Sequence, residues 1–77
     1  TVVADPEATV ARLGERAREA GASVDELDGV TGDFVDWWFN ARPSNTEPLL
    51  RLNVEAGSTE ECAQRLSDVR AWVEEAA

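Results

Sequence analysis

Between two runs rich in apolar residues lies Arg42-Pro43-Ser44-Asn45-Thr46-Glu47-Pro48, a segment in which nearly every side chain can meet an anion. The Arg42 guanidinium is a planar fork that matches two phosphate oxygens. Ser44 and Thr46 add hydroxyls for the others, and Asn45 adds an amide. Consecutive backbone N–H groups form an anion-binding nest when one residue turns left-handed, which Asn45 tolerates better than most non-glycine residues. Proline at each end stiffens the segment, which is longer than the roughly two to five residues of a tight hairpin connection. Arg42 and Arg51 are also the only arginines outside the stretches that read as helix. The same residue types equally compose a polar hairpin loop of turn formers with Arg42 paired to Glu47, and an acidic background opposes anion binding. Residue types alone leave both readings open.

Little else in the chain could do chemistry. All 7 cations are arginines and there is no histidine, so a Schiff-base lysine, a Ser-His-Asp relay and the usual Cys/His metal sites are all unavailable. Cys62 is the sole cysteine and cannot close an internal disulfide. It falls on an apolar helical stripe, as a small hydrophobe rather than a nucleophile. Asp25, Glu26 and Asp28 lack the dozen-residue liganding pattern of a Ca²⁺ loop and read as a solvated turn. No catalytic and no metal-ligating residue is expected. With 16 acidic residues the net charge is −9, which disfavours nucleic acid and anionic membranes as partners. No apolar run approaches the ~18 residues of a membrane span, and the opening residues lack the pattern of a signal peptide. The expected setting is reduced and cytoplasmic.

A scaffold must hold the anion-binding candidate in place. The 77 residues, 43 % hydrophobic and 30 % charged, suit a single domain over 1–77 with a limited core. After an apolar lead at Val2 and Val3, Asp5 is an N-cap, Pro6 a first-turn proline and Glu7 a first-turn anion, so a helix starts there. Val10, Leu13, Ala17 and Ala20 share one face, Arg12, Glu15, Arg16 and Glu19 face solvent, and Gly21 is placed to close the helix. Gly14 weakens it by about 1 kcal/mol.

From Ala22 to Ala56 short β-prone pieces alternate with turn residues, the pattern of an antiparallel meander. Ser23 to Leu27 is the first strand, and Asp28-Gly29 makes a two-residue hairpin turn into Val30 to Phe34. Asp36 breaks the run before Trp37 to Asn40, and Leu49 to Ala56 is the fourth strand. Leu50, Leu52 and Val54 alternate with Arg51, Asn53 and Glu55, so one face is buried and the other polar. Arg51, on the polar face, either supports Glu47 or faces a cleft as a free cation. Ser58-Thr59-Glu60-Glu61 is a capping box for a second helix whose apolar stripe is Cys62, Leu66, Val69 and Val73, widened by Ala63 and Trp72. Trp37, Trp38 and Trp72 read as core, with alternation sending Trp37 and Trp38 to opposite sheet faces. The order helix, four strands, helix gives a two-layer α+β domain with both helices on one face of a four-stranded antiparallel sheet. The opposite face is left open.

The run from Trp37 to Ala56, WWFNARPSNTEPLLRLNVEA, closely resembles the C-terminal domain of the phosphomannomutase/phosphoglucomutase family, the α-D-phosphohexomutases. The Asp28-Gly29-Val30 turn and the capped last helix are similar too, so the resemblance covers most of the chain from about Leu27 onward. It implies a TATA-box-binding-protein-like fold, in agreement with the layout above and without implying DNA binding. The family surrounds its cleft with four domains: the first carries a phosphoserine, the second a Mg²⁺ loop, the third sugar-recognition residues and the fourth a phosphate-binding loop. This chain is similar to the fourth alone, so Mg²⁺ is implied only for the full-length enzyme, held by another domain. The implied partners are a hexose phosphate and the other three domains.

Such enzymes interconvert hexose 1- and 6-phosphates through a bisphosphorylated intermediate that reorients between half-reactions, while the fourth-domain loop holds the phosphate that is not being transferred. Carried onto this sequence, the resemblance assigns Arg42 to two phosphate oxygens, Ser44 and Thr46 to hydroxyl contacts, and Asn45 to a backbone or amide contact. Glu47 and Pro48 take a shaping role. Serine followed by asparagine is similar to the mannose/glucose branch, where the glucosamine branch typically has glycine at the position of Asn45. The phosphoserine loop, the metal-binding aspartates and the sugar loop have no counterpart in these residues, and Asp36-Trp37 stands where many relatives have Gly-Trp. A different class of function is a stand-alone acidic interaction module that uses the open sheet face and keeps the loop as scaffold.

Overall fold

In the computed structural model, which describes residues 2–44 and 46–76, the Asp5 side chain accepts from the Ala8 N–H at 3.2 Å and caps helix α1, Pro6–Glu19. The cap satisfies one of the donors that a helix start leaves open. Leu13 and Ala17 are fully buried, as their spacing requires, while Ala20 is the exposed C-cap. Gly14 is buried as well, and a Cβ there would lie 3.3 Å from Val30 Cγ2. The helix accepts the propensity cost because its missing side chain lets α1 settle closely onto the sheet.

The chain then builds β1 (Ser23–Asp25), β2 (Val30–Asp33), β3 (Trp38–Pro43) and β4 (Leu50–Glu55), an antiparallel sheet in the order β1-β2-β3-β4. Helix α2 spans Thr59–Ala76. Ser58 Oγ accepts from the Glu61 N–H at 3.1 Å, and the Glu61 carboxylate reaches back to the Gly57 N–H at 3.3 Å, one residue earlier than the capping box pairs it. Lacking a cation in its own last turn, α2 receives one from α1: Arg12 Nη1 donates to the Ala76 carbonyl at 2.6 Å. Helix α1 packs on β1, β2 and β3, and α2 on β4 and α1, so both helices cover one face. Layers, strand order and the uncovered face are those the sequence predicts.

Element boundaries differ from the expected ones: β2 stops at Asp33 rather than Phe34, β4 is one residue shorter at each end, and β1 and β3 differ more. The first hairpin closes through Glu26, Leu27, Asp28 and Gly29 rather than a two-residue turn, because Asp25 Oδ1 accepts from the Leu27 N–H at 2.8 Å and peels the chain off β1. Trp37 precedes β3 instead of opening it. β3 also continues through Arg42 to Pro43. Its pairing with β2 ends at Val30↔Ala41, so Pro43 has no β2 partner to disappoint with its missing N–H and pairs only with Leu50 on β4.

The core gathers Leu13, Ala17, Val30, Phe39, Ala41, Leu50, Val69 and Val73. Beside it Trp37 stacks on Phe34 with centroids 4.5 Å apart, and Phe39 meets Trp72 edge-on at 6.1 Å. Arg65 lies 4.9 Å over Trp37 and Arg16 5.2 Å over Trp72, closing the cluster against water. Trp38 is half-buried on the open face. Cys62 is half-buried, its thiol donating to the Val54 carbonyl at 3.4 Å. No helix among the described residues is long and apolar enough to cross a membrane.

The β2–β3 turn stores strain. Val35, a β-branched residue, sits at φ +78° and is 94 % exposed, held by donation of its N–H to Asp33 Oδ1 at 2.8 Å. Asparagine accepts this conformation more readily, and no packing is lost with the valine. Val35→Asn is therefore expected to stabilise the chain by about 1 kcal/mol in urea unfolding; an unchanged or lower midpoint would show that the turn is not strained.

Candidate functional site

Phe39 and Ala41 point into the core, so the intervening residues of β3 (Trp38, Asn40 and Arg42) stand on the open face. The same alternation on β4 buries Leu50 and sends Arg51, Asn53 and Glu55 outward. The register pairs Trp38 with Glu55, Asn40 with Asn53 and Arg42 with Arg51. Two arginines directly opposite on one face are an unfavourable cross-strand pair in the absence of an anion.

The connection that follows is Ser44 to Leu49, one residue shorter than the sequence suggests, since Arg42 and Pro43 belong to β3. Its ends are tied by the Ser44 N–H donating to the Leu49 carbonyl at 2.9 Å, and a tight turn at its exit comes from the Leu49 N–H donating to Glu47 O at 2.8 Å. Ser44 Oγ accepts from the Thr46 N–H at 3.5 Å. That bond uses a lone pair and leaves the hydroxyl proton for an incoming acceptor. The N-terminal lead supports the loop from outside: Val2 bridges to Leu49, and the Val3 N–H donates to the Pro48 carbonyl at 2.9 Å. Asn45 lies outside the described residues.

Two shallow depressions meet at the arginine pair. One, of about 770 Å³, is bordered by Arg42, Pro43, Ser44, Thr46 and Arg51 together with Glu7 and Asp28. The other, of about 700 Å³, runs down the open face past Thr31, Trp38, Asn40, Leu52 and Asn53 and shares Asp28, Arg42 and Arg51 with the first. The fold thus brings Arg42, Ser44, Thr46 and Arg51 to one cleft. Glu47 is exposed and does not border it.

The partner of Arg42 is not Glu47, as a plain hairpin loop would have it, but Asp28. Arg42 Nη1 donates to Asp28 Oδ2 at 3.4 Å. The extension of β3 explains the difference, because it turns Arg42 onto the sheet face beside the β1–β2 loop instead of over its own loop. Among the described residues the Arg51 side chain has no hydrogen-bond or ion-pair partner, Glu47 included, and it borders both depressions as a cleft-facing cation.

Asp28 and Glu7 border the cleft although neither was singled out as part of a site. Asp28 was legible as a turn residue and Glu7 as a first-turn anion, and only tertiary packing brings either to the arginines. Among the described residues no group of three or more His, Cys, Asp or Glu side chains gathers to hold a metal. The chemistry available here is capture of an anion by guanidinium and hydroxyl donors.

The sequence profile described as phosphoglucomutase/phosphomannomutase, C-terminal domain, matches residues 2–71. A phosphomannomutase of Salmonella typhimurium is 48 % identical over 54 residues, 70 % of this chain and 12 % of that protein. A protein of Xanthomonas campestris named phosphohexose mutases is 51 % identical over 53 residues, 69 % of this chain and 12 % of its own length. A probable phosphoglucosamine mutase of Methanopyrus kandleri is 50 % identical over 72 residues, 86 % of this chain and 16 % of its own length. The chain therefore spans only a small part of the relatives it matches.

The arginine pair yields a direct test. In a double-mutant cycle with Arg42→Met and Arg51→Met, the coupling in ligand-free buffer is expected to be repulsive, on the order of 0.2–1 kcal/mol, and to shrink as salt is added. An attractive coupling from urea unfolding would contradict the shared face.

Proposed function

The chain belongs to the phosphoglucomutase/phosphomannomutase C-terminal domain family, and on that premise we propose that it is the substrate-phosphate clamp of a phosphohexomutase that interconverts hexose 1-phosphate and hexose 6-phosphate. The observation that carries the reading is the placement of Arg42 and Arg51 opposite each other on the open face, beside Ser44 and Thr46. Family membership supports the enzyme as a whole; the cleft supports the division of labour within it.

In this reading the planar guanidinium of Arg42 grips two phosphate oxygens, Ser44 and Thr46 donate hydroxyl protons to the remaining ones, Asn45 contributes a backbone or amide contact, and Arg51 adds charge from the neighbouring strand. Glu47 and Pro48 shape the loop. The phosphate so held is the one that does not react. Phosphoryl transfer depends mainly on positioning and electrostatics, so fixing the remote phosphate orients the reacting hydroxyl toward groups supplied by other domains. A clamp specific for phosphate rather than for sugar also serves both half-reactions, because either end of a bisphosphorylated intermediate presents the same dianion.

The relatives carry names that refer to both mannose and glucosamine, so the proposed ligand is a hexose phosphate as a class. No three potential metal-ligating side chains gather among the described residues, which supports a reading in which the Mg²⁺ of the proposed enzyme is held by another domain. A cytoplasmic setting belongs to the same reading, since a doubly charged sugar phosphate does not cross a bilayer unaided.

Inorganic phosphate is expected to bind this chain with a dissociation constant on the order of millimolar, because one domain supplies only part of a cleft. Amide shifts should move first at Ser44 and Thr46. Arg42→Lys should weaken binding nearly as much as Arg42→Ala, by roughly 1.5–3 kcal/mol, since lysine keeps the charge and loses the fork. Largest shifts on the helices, or a lysine variant that binds like the parent, would refute the clamp.

The chain alone is expected to show no interconversion of hexose 1- and 6-phosphates, for it has no histidine and no lysine and, among the described residues, no cluster of metal-binding side chains to assist the transfer. Reproducible turnover abolished by Arg42→Ala, a response that a contaminating mutase would not give, would overturn this.

A further inference from the structure

We propose that Asp28 is a built-in counter-ion of the cleft: it occupies Arg42 while no ligand is bound and thereby limits how tightly the cleft holds phosphate. The inference rests on the phosphate-clamp reading and adds a residue that opposes the ligand.

The position of Asp28 is fixed through its backbone. Asn40 Nδ2 donates to the Asp28 carbonyl at 3.1 Å, and the same amide group reaches Thr31 Oγ1 at 3.0 Å and the Val30 carbonyl at 3.3 Å, fastening the β1–β2 loop to β3. The next residue, Gly29, turns at φ +70° and lies so close to the Ala41 carbonyl and Arg42 Cα that a Cβ has no room. Two contacts on β3, both within two residues of Arg42, therefore deliver the Asp28 carboxylate to the arginine.

The side chain, by contrast, is held loosely. Among the described residues its one hydrogen-bonded or ionic partner is Arg42 Nη1, at 3.4 Å, and the two side chains are 51 % and 80 % exposed, Arg42 and Asp28 respectively. An exposed, single-point ion pair of this length is easily exchanged for a better acceptor. Among the described residues the other guanidinium donors of Arg42 have no partner, and Arg42 shares its depression with Ser44 and Thr46.

Charge completes the argument. The first depression is bordered by two cations, Arg42 and Arg51, and two carboxylates, Glu7 and Asp28, so it is neutral before a ligand enters. A phosphate dianion gains the arginines and meets Asp28 as a like charge across the same guanidinium. The arrangement keeps Arg42 extended over the cleft and keeps the complex weak, which suits a site that must release one phosphate and accept the other within a single catalytic cycle.

Titration of inorganic phosphate into the 77-residue chain and its Asp28→Asn, Asp28→Ser and Asp28→Glu variants, followed by amide shifts at low ionic strength, tests this. Asp28→Asn and Asp28→Ser are expected to bind about three- to tenfold more tightly than the parent, and Asp28→Glu within about twofold of it. The gain should narrow toward unity as ionic strength rises to about 0.5 M. A purely structural role would lower the melting temperature without tightening binding, so melting is recorded for each variant. Phosphate shifts at Ser44 and Thr46 with affinity unchanged or reduced in Asp28→Asn and Asp28→Ser would overturn the counter-ion role and leave the clamp standing. Absence of such shifts in the parent and every variant would overturn the clamp and the counter-ion with it.

Discussion

Phe39 and Ala41 must be buried together, and because side chains alternate along a strand, that requirement decides where Arg42 goes. Both are fully buried, Phe39 against Phe34, Trp37 and Trp72. A slip of one residue would expose Phe39, the largest fully buried side chain, and drive Arg42 into the place of Ala41. The first effect costs apolar burial of a few kcal/mol, and the second leaves an unpaired buried charge that costs more. Leu50 imposes the same condition on β4. The two arginines therefore face each other because two hydrophobic residues behind them cannot be anywhere else. Core packing and cleft geometry are one constraint seen from opposite sides of the sheet.

A chain of net charge −9 is an unpromising place for an anion. Yet the Debye length at physiological ionic strength is about 8 Å, so the distant carboxylates are screened and the groups within that radius decide. Most of the cations serve the fold: Arg16 and Arg65 lie over tryptophan rings, Arg18 pairs with Glu26 at 3.1 Å, and Arg12 closes the end of α2. Arg42 and Arg51 lie apart from these on the uncovered face. An acidic exterior with two arginine forks confined to a small, locally neutral depression favours ligands small enough to reach them over extended polyanions that must also cross the rest of the surface.

Local signals carried most of the fold. Asp5-Pro6-Glu7 announces a helix start from three adjacent residue types, and the alternation of Leu50, Leu52 and Val54 announces a half-buried strand. Both are satisfied by neighbours in sequence, which is why they can be read without tertiary structure. The end of β3 could not be read in this way. Proline at 43 argues for a strand end, and only the early end of β2 at Val30 makes it harmless. Of the cleft, Arg42, Ser44 and Thr46 were legible from residue type. The Arg42–Arg51 opposition depends on register across a loop, and the approach of Asp28 depends on β2 pairing with β3, a contact across 14 positions. Neither leaves a trace in the residues between.

The tryptophans divide the molecule optically. Trp37 and Trp72 belong to the ring cluster under the helices, with centroids 6.2 Å apart, whereas Trp38 stands on the other face, in the cleft, on the same strand as Arg42. Four strand positions separate it from that arginine, about 13 Å. Emission from the first pair follows the integrity of the core. Emission from Trp38 follows what lies on the sheet. The chain thus carries separate intrinsic reporters for folding and for cleft occupancy, with no label attached to either.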